Sequence, residues 1–228
     1  MKINNIELFA GAGGLVDSLE QSGNIQLLSA VEWLKPQVRT LVNRLESKYN
    51  IQDAKEIVLN FDIQRTEELI NVWSNEEEFG GSPGLAIIVG NNEVLMISGG
   101  PPCQAYSLVG RARDENGMVG DSRNYLYILY AEFLRKYHPR YFVFENVTGL
   151  LSAKDTDGKL YFDKMRQLFR ECGYSIEFKQ LNAKDYGVLQ NRSRIILIGK
   201  YGQHEGFYPN IPEVTNSCTV EEIFKDLP

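Results

Sequence analysis

The sequence predicts an α/β protein with a doubly wound, mostly parallel sheet and helices on both faces. Three observations carry this expectation. Short β-rich runs end in glycine or polar turns, amphipathic stretches lie between them, and 228 residues at 43% hydrophobic suffice for one sizeable core.

The first run, Ile6 to Phe9, leads into Ala10-Gly11-Ala12-Gly13-Gly14, and the second, Leu27 to Val31, into Glu32-Trp33. A third, Val94 to Ser98, enters Gly99-Gly100-Pro101-Pro102-Cys103. A fourth, Tyr141 to Phe144, enters Glu145-Asn146-Val147, and Arg194 to Gly199 closes the series. The clearest helix spans Tyr125 to Lys136, with Leu126, Leu129, Phe133 and Leu134 on one face and Pro139 just past its end. Another runs from Phe162 to Glu171 and stops at Gly173. Ser74 to Asn92, acidic and then glycine-rich, reads as an inserted, solvated loop with room for one extra strand before an Asn-Asn turn.

Composition narrows the function classes. No apolar stretch reaches the roughly 18 residues of a membrane span, and Met1-Lys2-Ile3-Asn4-Asn5 lacks the layout of a secretory signal, so a cytoplasmic location is expected. Cys103, Cys172 and Cys218 are too far apart for a disulfide framework or a CxxC zinc site. His138 and His204 sit in no metal-ligand spacing, so no metal is expected. A net charge of -6 gives no general attraction to phosphate; nucleic acid would need a local basic patch or another chain.

In a doubly wound sheet ligands bind at the carboxyl ends of the strands, so these polar tips should converge on one crevice. Gly11, Gly13 and Gly14 would let the backbone approach a ligand whose negative group meets a helix N-terminus; a tight turn with close helix packing would use the same glycines. Glu32, about 20 residues on, can accept both hydroxyls of a ribose, and Trp33 offers a flat face to an adenine. An adenosine-containing cofactor follows, although Glu32 could equally start a helix and Trp33 fill a core. Val16 stands where a dinucleotide fingerprint wants Gly or Ala, which argues against NAD.

Cys103 is the candidate nucleophile. Two prolines fix the loop before it, a mounting that a buried, inert thiol does not need; Cys172 and Cys218 read as inert. Glu145, directly after an apolar strand, would be partly desolvated, which favours a protonated carboxyl able to donate to a ring nitrogen; a helix cap is the other use of an acid there. Arg192 and Arg194 lie two apart on an extended segment, suited to a carbonyl oxygen or phosphate, or else to an edge strand of alternating charge.

Together these stretches resemble the cytosine-C5 DNA methyltransferase family from Ile6 to Pro228. The resemblance rests on Phe9-Ala10-Gly11-Ala12-Gly13-Gly14-Leu15, Glu32-Trp33, Asp62-Ile63, Pro101-Pro102-Cys103-Gln104, the DSRNYLY segment from Asp121, Glu145-Asn146-Val147, and LNAKDYGVLQNRSR from Leu181 to Arg194, all in the family's order. It implies a Rossmann-like fold and S-adenosylmethionine as methyl donor. Phe9, Glu32, Trp33, Asp62 and Ile63 would grip the adenosine, with the methionine end near the glycine turn (Ala10 to Leu15), Pro102 and Leu126. It implies that Cys103 adds to carbon 6 of a flipped cytosine in duplex DNA, that Glu145 supports protonation at ring nitrogen 3, and that Arg194 and Arg192 steady the site.

Residues 106–121 fit the family's mobile active-site loop, with Arg111 and Arg113 as phosphate contacts and Gln104, Ser107 and Asn146 toward the substrate. The family setting implied is a bacterial restriction-modification system. A tRNA cytosine-C5 methyltransferase or a non-catalytic partner subunit would keep the same fold. The segment TVEEIFKDLP precedes, in the family, a target-recognition region and last motifs. The expectation is therefore one catalytic domain over residues 1–228, with recognition supplied elsewhere, for instance by a second polypeptide.

Overall fold

The computed structural model describes residues 2–102 and 122–214, together with Glu222, Phe224 and Lys225. In chain order these form β1 (Ile3–Leu8), α1 (Gly14–Gln21), β2 (Ile25–Glu32), α2 (Lys35–Tyr49), α3 (Ala54–Ile57), β3 (Val58–Asn60) and α4 (Thr66–Asn71). Next come β4 (Trp73–Glu76), β5 (Gly80–Ser82), α5 (Leu85–Val89), β6 (Met96–Gly99), α6 (Leu126–Tyr137), β7 (Tyr141–Val147), α7 (Tyr161–Glu171), β8 (Tyr174–Asn182) and β9 (Ser193–Tyr201).

Seven strands make one sheet in the order β3-β2-β1-β6-β7-β9-β8. The first five are parallel; β9 runs antiparallel to both β7 and β8. The sheet is doubly wound and mostly parallel, as the alternating sequence pattern predicts. Strand order reverses between β1 and β6, so the tips of these two strands flank the crevice where such sheets bind ligands.

Helices cover both faces because β1 alternates. Ile6 and Leu8 enter a core shared with Ile97, Tyr130, Phe142, Phe144, Phe169 and Leu197, whereas Val16, Leu27, Ala30, Leu41 and Leu45 form a second layer under α1 and α2. The two helices expected from apolar spacing appear as α6 and α7. Helix α6 ends at His138, whose left-handed φ of 44° closes the last turn before Pro139.

The stretch from Ser74 to Asn92 departs from the expected solvated loop. Trp73–Glu76 and Gly80–Ser82 pair as an antiparallel ribbon, and the apolar LAIIV run forms α5 rather than a strand. Side-chain spacing explains the choice. Leu85 and Val89, four apart, are 0% and 4% exposed, while Ile87, which a strand would turn to the same side, is 69% exposed. The ribbon is anchored by Phe61, whose ring lies 4.1 Å from Trp73 and 5.2 Å from Phe79, and by Arg65, which stacks on Phe61 and pairs with Glu68 and Glu76.

Candidate active site

The turn after β1 carries three left-handed residues: Phe9 (φ 57°), Gly11 (φ 56°) and Gly13 (φ 94°). Gly13 is the N-cap of α1 with φ 94°, a conformation that favours glycine, and a β-carbon there would meet Leu41 Cδ1 of α2 at 2.6 Å, so a side chain would displace that leucine. From the next tip Glu32 reaches back. Its Oε2 accepts from Gly11 N–H and its Oε1 from Leu34 N–H, each at 2.8 Å, so one carboxylate fixes both the glycine turn and the approach to α2. Asn60, at the end of β3, donates to the carbonyls of Glu32 and Trp33.

A cavity of about 480 Å³ opens between these tips. Phe9, Gly11, Glu32, Trp33, Asp62, Ile63, Pro102 and Leu126, all singled out from the sequence, line it. Phe61 and Ile63 are buried beside it, Trp33 stands half-exposed, and Asp62 Oδ1 accepts from Gln64 N–H. An adenosine fits this chemistry: apolar walls, an indole face, and two carboxylates with lone pairs to spare for hydroxyl and amine donors. Ala12 borders a small neighbouring hollow instead, while Ala10, Gly13, Gly14 and Leu15 build the turn without lining the cavity. Gly100 and Arg123, from the named loop and DSRNYLY stretches, line it too, as do Leu34, Gln37 and Gln64, which were not singled out; Gln37 lies five residues after Glu32, in the first turn of α2.

The second half of the site lies on β7 and β9. Residues Val147 and Arg194 are register partners, which puts Glu145 and Arg194 diagonally adjacent on one face. Arg194 Nε donates to Glu145 Oε1 at 2.7 Å, both side chains being 24% exposed, and Arg192 approaches the same oxygen at 3.9 Å. Arg192 precedes β9, so the two arginines converge on the acid from a strand and from the loop before it.

Gly100 joins the halves. It lines the cavity, and a β-carbon on it would meet Glu145 Oε2 at 2.8 Å. Neighbouring Pro101 is held through its carbonyl by Asn146 Nδ2 at 3.3 Å. Asn146, expected toward the substrate, is 1% exposed, and its Oδ1 accepts from Val147 N–H; it ties the loop to β7 instead. Cys103, Gln104, Ser107, Arg111 and Arg113 lie outside the described residues, as does Cys218. Cys172 is buried, and burial pushes its thiol up.

Behind the site, buried Asp155 is a hub. It accepts from Tyr125 Oη at 2.7 Å, Tyr161 Oη at 3.0 Å and Lys164 Nζ at 2.6 Å, joining the 3₁₀ turn Ser122–Tyr125 to α7. Burial by itself would raise this carboxyl, but Lys164 and the hydroxyl donors outweigh it and hold it well below the usual range. A larger hollow of about 880 Å³ lies between α2, the β4–β5 ribbon and α5, and none of the motif residues lines it.

Comparison with known proteins agrees with this layout. The C-5 cytosine-specific DNA methylase family matches residues 86–226. The type II methyltransferase M.XorII of Xanthomonas oryzae pv. oryzae is 33% identical over 227 residues, covering 98% of this chain and 46% of that protein. M1.HphI of Haemophilus parahaemolyticus is 30% identical over 229 residues, covering 100% of this chain and 54% of that one. The chain spans between about a third and about half the length of such curated relatives. Among solved structures, a prophage-encoded DNA modification methyltransferase candidate from E. coli superposes with a TM-score of 0.67 at 24% identity, over 100% of this chain and 56% of that one. The S. pombe Dnmt2 methyltransferase superposes with 0.58 at 15% identity, over 91% and 52%. At these identities the two structures speak for the fold alone.

Proposed function

We propose, from the premise that this chain belongs to the C-5 cytosine-specific DNA methylase family, that it methylates carbon 5 of cytosine in duplex DNA, with S-adenosylmethionine as donor. The observation that carries the reading is the position of Gly100, which lines the cavity between the strand tips on one side and abuts the Glu145 carboxyl on the other. A donor site and an acid site share one residue, three positions before Cys103 in the chain.

When bound, S-adenosylmethionine supplies an electrophilic methyl group. Glu32 would take the ribose hydroxyls, Trp33 and Ile63 the adenine, and Asp62 an amine or hydroxyl donor. The Cys103 thiolate adds to carbon 6 of a cytosine flipped from its stack, and Glu145 gives a proton to ring nitrogen 3, which leaves carbon 5 electron-rich enough to take the methyl. Arg194 keeps the Glu145 carboxyl aimed, with Arg192 behind it. Loss of the carbon 5 proton to a solvent base, expulsion of the Cys103 thiolate and return of the ring nitrogen 3 proton to Glu145 restore the ring and the acid.

The DNA substrate and a restriction-modification setting in the cytoplasm belong to the same proposal. They are supported by the type II relatives. Methyl transfer from labelled S-adenosylmethionine to duplex DNA, with tRNA as the comparison substrate, tests the reading. Label at carbon 5 of DNA cytosine is expected, and label on another atom would refute it.

A further inference from the structure

Phe61 is a partition between two spaces. It directly follows β3, is 0% exposed, and lines the cavity between the strand tips together with its neighbours Asp62 and Ile63. Away from that cavity its ring packs on Trp73 of β4 at 4.1 Å and on Phe79 at 5.2 Å. Neither of these two rings lines the cavity; both line the larger hollow beside the β4–β5 ribbon.

Arg65 holds the stack together. Its backbone N–H donates to the Asp62 carbonyl at 3.1 Å, and its guanidinium carbon lies 4.7 Å from the centre of the Phe61 ring and 6.0 Å from that of Phe79. Nε donates to Glu68 Oε1 of α4 at 2.9 Å and Nη1 to Glu76 Oε2 of β4 at 2.7 Å. Arg65 itself does not line the cavity. The clamp matters because the ribbon is two strands of four and three residues, paired with each other and not with the main sheet, which is too little to hold its own shape. With a hollow of about 880 Å³ beside it, Trp73 has room to withdraw, and Phe61 would lose its backing.

We propose that Arg65 is a positioning residue for the cofactor: by pinning the β4–β5 ribbon it fixes the Trp73 and Phe79 rings that back Phe61, and so sets how firmly that wall of the cavity meets the adenosine. The proposal rests on reading the cavity as the cofactor's place. Release of the clamp then weakens binding without removing any group that touches the cofactor. Trp73, although outside the cavity, senses its occupancy through Phe61.

The chain has two tryptophans, so Trp33→Phe leaves Trp73 as the sole indole. The test is titration with S-adenosylhomocysteine, followed by Trp73 emission in Trp33→Phe and by calorimetry in the wild type, Arg65→Met, Arg65→Lys and Glu76→Gln, each well below its melting temperature. Trp73 emission should change as the site fills, and the response should shrink when Arg65→Met is added. Affinity should fall by roughly threefold or more in Arg65→Met and Glu76→Gln. Arg65→Lys should recover part of the loss, since an ammonium keeps the charge over Phe61 but not the fork between two carboxylates. Saturation without any change in Trp73 emission, or an Arg65→Met affinity within about twofold of the wild type, would overturn the proposal. Should Arg65→Met not fold, unchanged affinity in Glu76→Gln would overturn it; should Trp33→Phe not bind, the calorimetric comparison alone decides. A wild-type chain that binds no S-adenosylhomocysteine would instead reject the cofactor reading, and this proposal with it.

Discussion

Arg194 Nε and Glu145 Oε1 are 2.7 Å apart, across the one antiparallel junction that joins the parallel half of the sheet to its last two strands. The sheet reverses direction where the acid needs a partner. The chain crosses from β7 through α7 to the edge strand β8, and β9 then turns back antiparallel between the two and lays an arginine diagonally across from the acid.

Arg194→Ala should therefore cut methyl transfer while leaving cofactor affinity intact. A charge-assisted hydrogen bond of this kind is worth about 2 kcal/mol, or roughly 30-fold in rate. Arg194→Lys should rescue only part of the loss, because an ammonium cannot reproduce the guanidinium geometry. Single-turnover rates beside calorimetric affinities check this; a parallel loss in both quantities would assign Arg194 to the cofactor.

Glu32→Ala should weaken S-adenosylmethionine binding by about 2 kcal/mol, or roughly 30-fold, by removing the ribose acceptors and the tie between Gly11 and Leu34. Unchanged affinity would remove Glu32 from the site.

Gly100→Ala tests the shared wall. Its new β-carbon would meet Glu145 Oε2 at 2.8 Å, so either the loop or the acid must shift. Cofactor affinity and transfer rate should fall together, with the melting temperature little changed. A fall in only one of them would mean that the two halves do not communicate through this residue.

Two carboxyls set opposite pH trends in stability. Glu7 keeps its proton in the fold up to about 8, while the unfolded chain gives it up near 4.5, so stability should decline by about 1.4 kcal/mol per pH unit between those values. Glu7→Gln should abolish the decline. Asp155 is held below its ordinary 3.8, so its contribution is present above that value and vanishes as pH falls through the lower folded value. Asp155→Asn should lower the melting temperature near neutrality by about 4 °C or more and make no difference in strong acid. Thermal melts across pH decide both.

The strand tips were legible because each is an apolar run stopped by residues a core would not accept: Phe9 to Gly14, Glu32-Trp33, Gly99 to Pro102, and Glu145. Short or half-exposed pieces were not. β3 is three residues long, directly after a four-residue helix, and β8 is an edge strand with three consecutive exposed residues, Phe178, Lys179 and Gln180. The LAIIV run reads as strand or helix alike until the pocket for Leu85 and Val89 is known. Glu7 was hidden because an acid in a strand normally signals an exposed face, and only the register with Ser98, whose hydroxyl donates to it, reveals how it is held in the core.

The most direct test of the central claim is covalent capture of a duplex containing 5-fluorocytosine in the presence of S-adenosylmethionine, read by denaturing gel and by mass spectrometry of the adducted peptide. With fluorine at carbon 5 the final elimination cannot occur, so the account predicts a stable complex carrying one transferred methyl group, joined through Cys103 and lost in Cys103→Ser. A complex that survives that substitution, or a wild-type chain that binds cofactor and duplex yet forms none, would contradict it.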